Sequence, residues 1–152
     1  MANQVPEWTT VLAESQTKGR GKPGFSWYSP PGGLYFSVIL KPRKNPQELT
    51  SITRIAADAV ARAISDFNPH IKLPNDILIG DKKVCGILTE RSGESLIIGI
   101  GLNVNTPELP VELNATSLLL ENQGKSLDLK VLLQKILANL KDEYFKYLGI
   151  EI

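Results

Sequence analysis

Residues 96–105, L-I-I-G-I-G-L-N-V-N, do most to limit what this chain can fold into. In a strand, successive side chains point to opposite faces. Ile98, Ile100, Leu102 and Val104 then share one face, and Gly99, Gly101, Asn103 and Asn105 share the other. The first face is apolar and belongs in a core. The second is almost bare backbone ending in two amides. Glycines weaken a strand unless something approaches its backbone closely. The pattern therefore asks for a sheet with a core on one side and a close-fitting occupant on the other, whether a packed helix or strand or a ligand.

The rest of the chain supplies partners for that strand. Residues 9–15 and 33–40 read as strands, the second rich in aromatic and branched residues. Residues 41–44 form a charged turn. The strongest helix pattern covers residues 45–67, with Asn45 as cap, Pro46 at the first helical position and Glu48 placed for a capping box. Its apolar face holds Leu49, Ile52, Ile55, Ala56, Ala59, Val60, Ala63, Ile64 and Phe67, and Asn68-Pro69 ends it. Short strands follow at 71–73, 77–79, 83–90 and 95–105, with hairpin turns at Gly80-Asp81 and Ser92-Gly93. An amphipathic helix over 129–148, capped by Asp128, closes the chain. Hairpins outnumber crossovers. The expected fold is α+β, with a mixed, mostly antiparallel sheet and helices packed on one side. At 152 residues and 42% apolar, one domain over residues 1–152 is expected.

Composition removes several function classes. The net charge is +1, so no global field recruits nucleic acid or an acidic membrane. One cysteine, Cys85, and one histidine, His70, make neither a disulfide framework nor a zinc set. No apolar window reaches the roughly 18 residues of a membrane span, and the N-terminus lacks a signal-peptide pattern. A cytoplasmic protein is expected.

Three segments could carry chemistry. In K-L-P-N-D, residues 72–76, Asn75-Asp76 forms a turn or sets a carboxylate at a strand end, where it could hold a metal or a sugar hydroxyl. In D-K-K-V-C-G-I-L, residues 81–88, counting by two puts Lys83, Cys85 and Ile87 on one face and Val84, Gly86 and Leu88 on the other. Lys83 either snorkels to water or points inward to an anion, because an unpaired buried ammonium is costly. Q-T-K-G-R-G-K-P-G, residues 16–24, is either a solvated flexible turn or an anion cradle, in which glycines let backbone amides approach and Arg20 offers a planar fork. The segment is not a P-loop, and no long helix follows to make it a dinucleotide fingerprint.

Together these stretches resemble the catalytic domain of biotin protein ligases, the biotin–[acetyl-CoA-carboxylase] ligases. The resemblance is carried by Q-T-K-G-R-G-K-P-G-F-S-W-Y-S-P, G-G-L-Y-F-S-V-I-L-K-P, K-L-P-N-D-I-L-I-G-D-K-K-V-C-G-I-L-T-E, I-I-G-I-G-L-N-V-N and N-A-T-S-L, in order over nearly the whole chain. It implies a class II synthetase-like fold and a two-step reaction. Biotin and ATP form biotinyl-5′-AMP with Mg²⁺, and a lysine of a biotin carboxyl carrier protein then takes the biotin. The resemblance assigns Gln16, Gly19, Arg20, Gly21 and Lys22 to biotin, with Lys83 at its carboxylate and the α-phosphate. Gly86 would leave room for the biotin ring, and Trp27 would cover the adenine. Asn75, Asp76 and Asn103, with Lys22 and Lys83, would serve the nucleotide, Asp76 also the metal. It makes the loop at 16–24 a lid that orders on its ligand.

Lys22 stands where the family has arginine, which keeps the charge but loses the fork. Leu73 replaces a tryptophan. The family's earlier S-T-N segment, its SH3-like domain and a DNA-binding winged helix have no counterpart in these residues, so the chain reads as truncated at the N-terminus, and an uncovered sheet edge would favour a homodimer. A non-catalytic relative that binds nucleotide or carrier, and a lipoate-type ligase, are the alternative functions.

Overall fold

Six strands form one sheet in the computed structural model, which describes residues 1–42 and 49–149. They are β1 (Thr10–Ala13), β2 (Leu34–Leu40), β3 (Pro69–Lys72), β4 (Asp76–Ile79), β5 (Lys82–Ser92) and β6 (Ser95–Leu102), in the order β1-β2-β6-β5-β4-β3. Every pair of neighbours is antiparallel. Among the described residues the one parallel contact is an isolated bridge between Lys83 and Ala115. The mixed, mostly antiparallel sheet expected from the sequence is thus antiparallel in all its named strands, because hairpins and one return connection suffice to link them.

Residues that oppose each other across a ladder share a face. Ile98, Ile100 and Leu102 lie opposite Val38, Phe36 and Leu34, all buried. Helices α1 (Leu49–Ala63) and α3 (Leu129–Leu148), with the short α2 (Leu118–Glu121) between them in the chain, are the α-helices among the described residues, and α1 and α3 cover this side and pack on each other. Ile52, Ala56 and Val60 of α1 join Leu132, Ile136 and Leu140 of α3 in the same core. The opposite face carries Gly99 against Ser37 and Leu88, and Gly101 against Tyr35 and Gly86. No long helix lies there among the described residues, so the bare side of β6 opens into a cleft.

Local chemistry explains the boundaries. The Asp128 carboxylate accepts from the Lys130 and Val131 amides and starts α3, and Gly149 ends it at φ 73°. The first helix is shorter than the pattern predicts: α1 stops at Ala63 and a tighter turn follows over Ser65–Phe67. Asn68 then takes a left-handed φ of 51° and delivers the chain to β3. The capping group Asn45, Pro46 and Glu48 lies outside the described residues, as do Arg43 and Lys44 of the charged turn. The second hairpin turns one residue later than expected. Ser92 still pairs with Ser95, and Gly93, at φ 60°, makes the corner. Near the N-terminus, Trp8 stacks edge-on against Tyr144 of α3 at 5.7 Å, tying the first segment to the core. Among the described residues no helix is long and apolar enough to cross a membrane.

Leu102 is fully buried at the centre of this core. Leu102→Ala is expected to cost about 2–5 kcal/mol in urea unfolding, and Asp128→Ala only about 1 kcal/mol. Equal losses would contradict this placement of the core.

Candidate functional site

The cleft depends on an irregularity in β5. Asp76 pairs with Gly86 and Ile77 with Cys85, but Leu78 pairs with Lys83, so one extra residue sits in β5. This bulge lets Val84 and Cys85 both bury, and it reverses the alternation before them. Lys83 therefore shares its face with Gly86 and Leu88, not with Cys85 and Ile87 as the count by two predicts. The period-two rule fails because it assumes unbroken pairing. The segment after β6 fixes the bulge. The Lys83 amide donates to the Asn114 carbonyl at 3.0 Å, and the Thr116 amide donates to the Lys83 carbonyl at 2.8 Å. The Asn103 amide takes the Val84 carbonyl at 2.9 Å.

So aimed, Lys83 enters the cleft. Its Nζ lies 2.8 Å from Asp76 Oδ1, and both side chains are partly buried. Of the two readings of Lys83, the inward one holds. Asp76 sits at the start of β4, where the turn after β3 delivers it to the glycine face. The Asn75 carbonyl accepts from the Ile87 amide at 2.9 Å and holds that turn against β5.

Residues 16–29 fold back as an irregular hairpin over the same face, bridged between Gln16 and Ser29 and between Arg20 and Ser26. The Trp27 amide donates to the Gly19 carbonyl at 2.8 Å, and the Gly21 amide to the Phe25 carbonyl at 3.0 Å. Gln16 Nε2 donates to Ser29 Oγ at 2.8 Å. Gly19 is buried beneath, where a Cβ would collide with the Trp27 carbonyl. The polar stretch 16–24 lacks an apolar anchor of its own, but Trp27 provides one three residues later. The indole lies on Gly86 and Gly101. A Cβ on Gly86 would be 3.0 Å from Cζ3, and a Cβ on Gly101 would collide with Nε1. Lys83 Nζ stands 5.0 Å from the indole centroid. In this structure the room at Gly86, expected for a biotin ring, is filled by Trp27. Its Nε1 is buried without a partner, a state that costs about 1–3 kcal/mol.

Arg20 extends from the hairpin to Glu90 of β5, with Nη2 at 3.1 Å from Oε1. At 72% side-chain exposure for Arg20 this pair positions the guanidinium more than it stabilises the fold. Lys22 lies at the hairpin tip, its Nζ 5.0 Å from the Phe25 ring. Asn103 is buried. Its Nδ2 donates to the Thr116 carbonyl at 3.1 Å, and its Oδ1 has no partner. The cleft encloses about 560 Å³, and every residue nominated from the sequence except Gly19 lines it. Sequence reasoning missed Glu90 and the wall at Leu109, Glu112, Leu113 and Ala115. Glu90 was within reach of the pattern, two and four residues past Leu88 and Gly86 on one face. The wall follows no periodic signal.

Burial raises the Cys85 thiol far above its ordinary range, with Lys83 opposing and Asp76 adding to the shift. Cys85 is therefore no nucleophile. Tyr35 is also pushed up, to about 12, mainly by burial, and donates to the Pro30 carbonyl at 2.6 Å beneath the hairpin.

The profile of the Biotin/lipoate A/B protein ligase family matches residues 2–105. The chain is 41% identical over 159 aligned residues to the bifunctional ligase/repressor BirA of Bacillus spizizenii, covering 96% of this chain and 49% of that protein. It is 34% identical over 104 residues to the biotin–[acetyl-CoA-carboxylase] ligase of Paracoccus denitrificans, covering 62% and 43%. In structure it is similar to the biotin protein ligase from Aquifex aeolicus solved with biotin and ATP, at a TM-score of 0.86 and 38% identity, covering 94% of this chain and 63% of that one. The chain spans about half the length of the curated relatives it matches.

A folded-state thiol raised above its unfolded value contributes stability below about pH 8.5 and loses it as the pH rises past that. Cys85 is expected to resist a disulfide-exchange reagent at neutral pH until denaturant is added, and unfolding stability is expected to fall above that pH in a Cys85→Ala-sensitive manner. Prompt labelling of the native chain would contradict the burial.

Proposed function

We propose that this chain, which belongs to the Biotin/lipoate A/B protein ligase family, activates biotin with ATP and transfers it to a lysine of a biotin carboxyl carrier protein. The observation that carries the reading is Lys83, turned by the bulge to face the glycine shelf beside Asp76. The likeness to an enzyme solved with biotin and ATP supports the substrates, and the likeness to a biotin–[acetyl-CoA-carboxylase] ligase supports the carrier.

The chemistry must bring a carboxylate to an α-phosphate, and two anions repel. Cations aimed at both, in a cleft that excludes water, lower that cost. Lys83 bridges the biotin carboxylate and the α-phosphate, while Arg20 and Lys22 bind the anionic groups at the mouth. A carboxylate oxygen attacks phosphorus and the bond to the β-phosphate breaks, releasing pyrophosphate. The carrier's lysine amine then attacks the acyl carbon, loses a proton, and AMP leaves. Gln16, Gly19 and Gly21 shape the biotin end, and Trp27 covers the adenine. Asn75 and Asn103 orient the nucleotide, the unpartnered Asn103 Oδ1 offering an acceptor.

No cluster of three or more acidic, histidine or cysteine side chains offers a metal cage among the described residues. One carboxylate in the cleft, Asp76, would hold a magnesium ion, which would supply charge neutralisation at the phosphates. A cytoplasmic location fits the reading. The exposed edge strand β1, with Val11 and Leu12 at 45% and 56% exposure, supports pairing of two copies; a monomeric mass in solution would contradict that part.

The test is transfer of labelled biotin to a carrier domain with ATP and Mg²⁺, with lipoate in a parallel arm. Lys83→Ala is expected to lower transfer by about 10²-fold or more while circular dichroism stays native. Unchanged turnover would remove Lys83 from the site.

A further inference from the structure

We propose that Trp27 is a built-in occupant of the substrate shelf, so that biotin enters by exchanging its ring for the indole. The inference rests on the biotin-ligase reading. Four observations lead to it. The indole lies on the two facing glycines, Gly86 and Gly101, on the face that Lys83 shares. It is close enough to both that neither glycine could carry a Cβ undisturbed. Its ring sits under the Lys83 ammonium, the cation assigned to the substrate carboxylate. Its N–H is buried without an acceptor. The first three show a ring seated where the biotin bicycle is to bind. The fourth shows that the seat suits the indole imperfectly, since an indole N–H ordinarily finds a partner when buried.

The arrangement protects the shelf in the empty protein and gives the hairpin its apolar anchor. It also taxes binding, because the open conformation must be populated first. Biotin alone has no aromatic base on which the displaced indole could stack. With nucleotide present, Trp27 gains a new surface in the adenine. Removing the indole therefore has opposite effects on the two ligands. It relieves the tax on biotin and deletes the cover over the nucleotide.

The test is calorimetry of biotin alone and of ATP with Mg²⁺, on the unaltered chain and on Trp27→Ala. Biotin is expected to bind Trp27→Ala about three- to tenfold more tightly, and ATP more weakly. Biotin binding that is weaker or unchanged in Trp27→Ala would overturn the proposal, since Trp27 would then be part of the biotin wall or a bystander. A second measurement uses Trp8→Phe, which leaves Trp27 as the sole tryptophan. Acrylamide quenching of Trp27, which is partly buried in the unliganded protein, is expected to be incomplete there. It should rise when biotin is added and also when Gly101→Ala is introduced to push the indole out. Strong quenching in the unliganded protein, or none of these changes at saturating biotin, would overturn the proposal. If neither chain takes up biotin, the functional reading fails, while the quenching of the unliganded protein and of Gly101→Ala still decides whether the indole fills the shelf.

Discussion

One extra residue in β5 sets which way Lys83 faces. Without the bulge at Val84, Lys83 would fall on the helix side of the sheet, where burial of an unpaired ammonium is too costly to sustain. With it, Val84 and Cys85 both enter the core and Lys83 turns to the glycine face. The bulge is held from the other side by the segment after β6, through the Asn114 carbonyl, the Thr116 amide and the Asn103 amide. Asn103 also ties its side chain to Thr116. The N-A-T-S-L stretch thus has a physical task that its composition does not announce, which is to lock the backbone that aims the lysine.

The cleft is arranged as charge over bare backbone. Each of its two main cations is paired with a carboxylate, Lys83 with Asp76 and Arg20 with Glu90. The pairs differ in kind. Lys83 and Asp76 are partly withdrawn from water, so their attraction is less screened, whereas Arg20 and Glu90 sit at the surface. The first pair fixes a side chain inside the site. The second orients a fork at its mouth that an incoming carboxylate or phosphate can share.

Much of this was legible in the amino-acid order. The alternation of residues 96–102 separates a core face from a bare face, and the ladder places them as read, although the strand ends at Leu102 and not at residue 105. The helix over 129–148 and its Asp128 cap follow from apolar spacing and a local hydrogen bond. A close-fitting occupant at Gly101 follows from the bare face, but its identity as Trp27 does not, because a hairpin's approach to a sheet leaves no periodic trace. The count by two fails at Lys83 for a related reason. A bulge is a tertiary event, fixed by Asn114 and Thr116 some thirty residues away. Glu90 was overlooked although its strand period pointed to it, since a lone surface acid carries little signal without its partner.

The central claim is that the bulge aims Lys83 at the reacting anions, and the side-chain NMR signal of Lys83 tests it most directly. With ε-¹³C-labelled lysine, assigned through Lys83→Arg, the Lys83 resonance is expected to shift on addition of biotin with a non-hydrolysable ATP analogue. The other lysines of the core strands should stay in place. A Lys83 resonance that does not move while calorimetry shows both ligands bound would contradict the account.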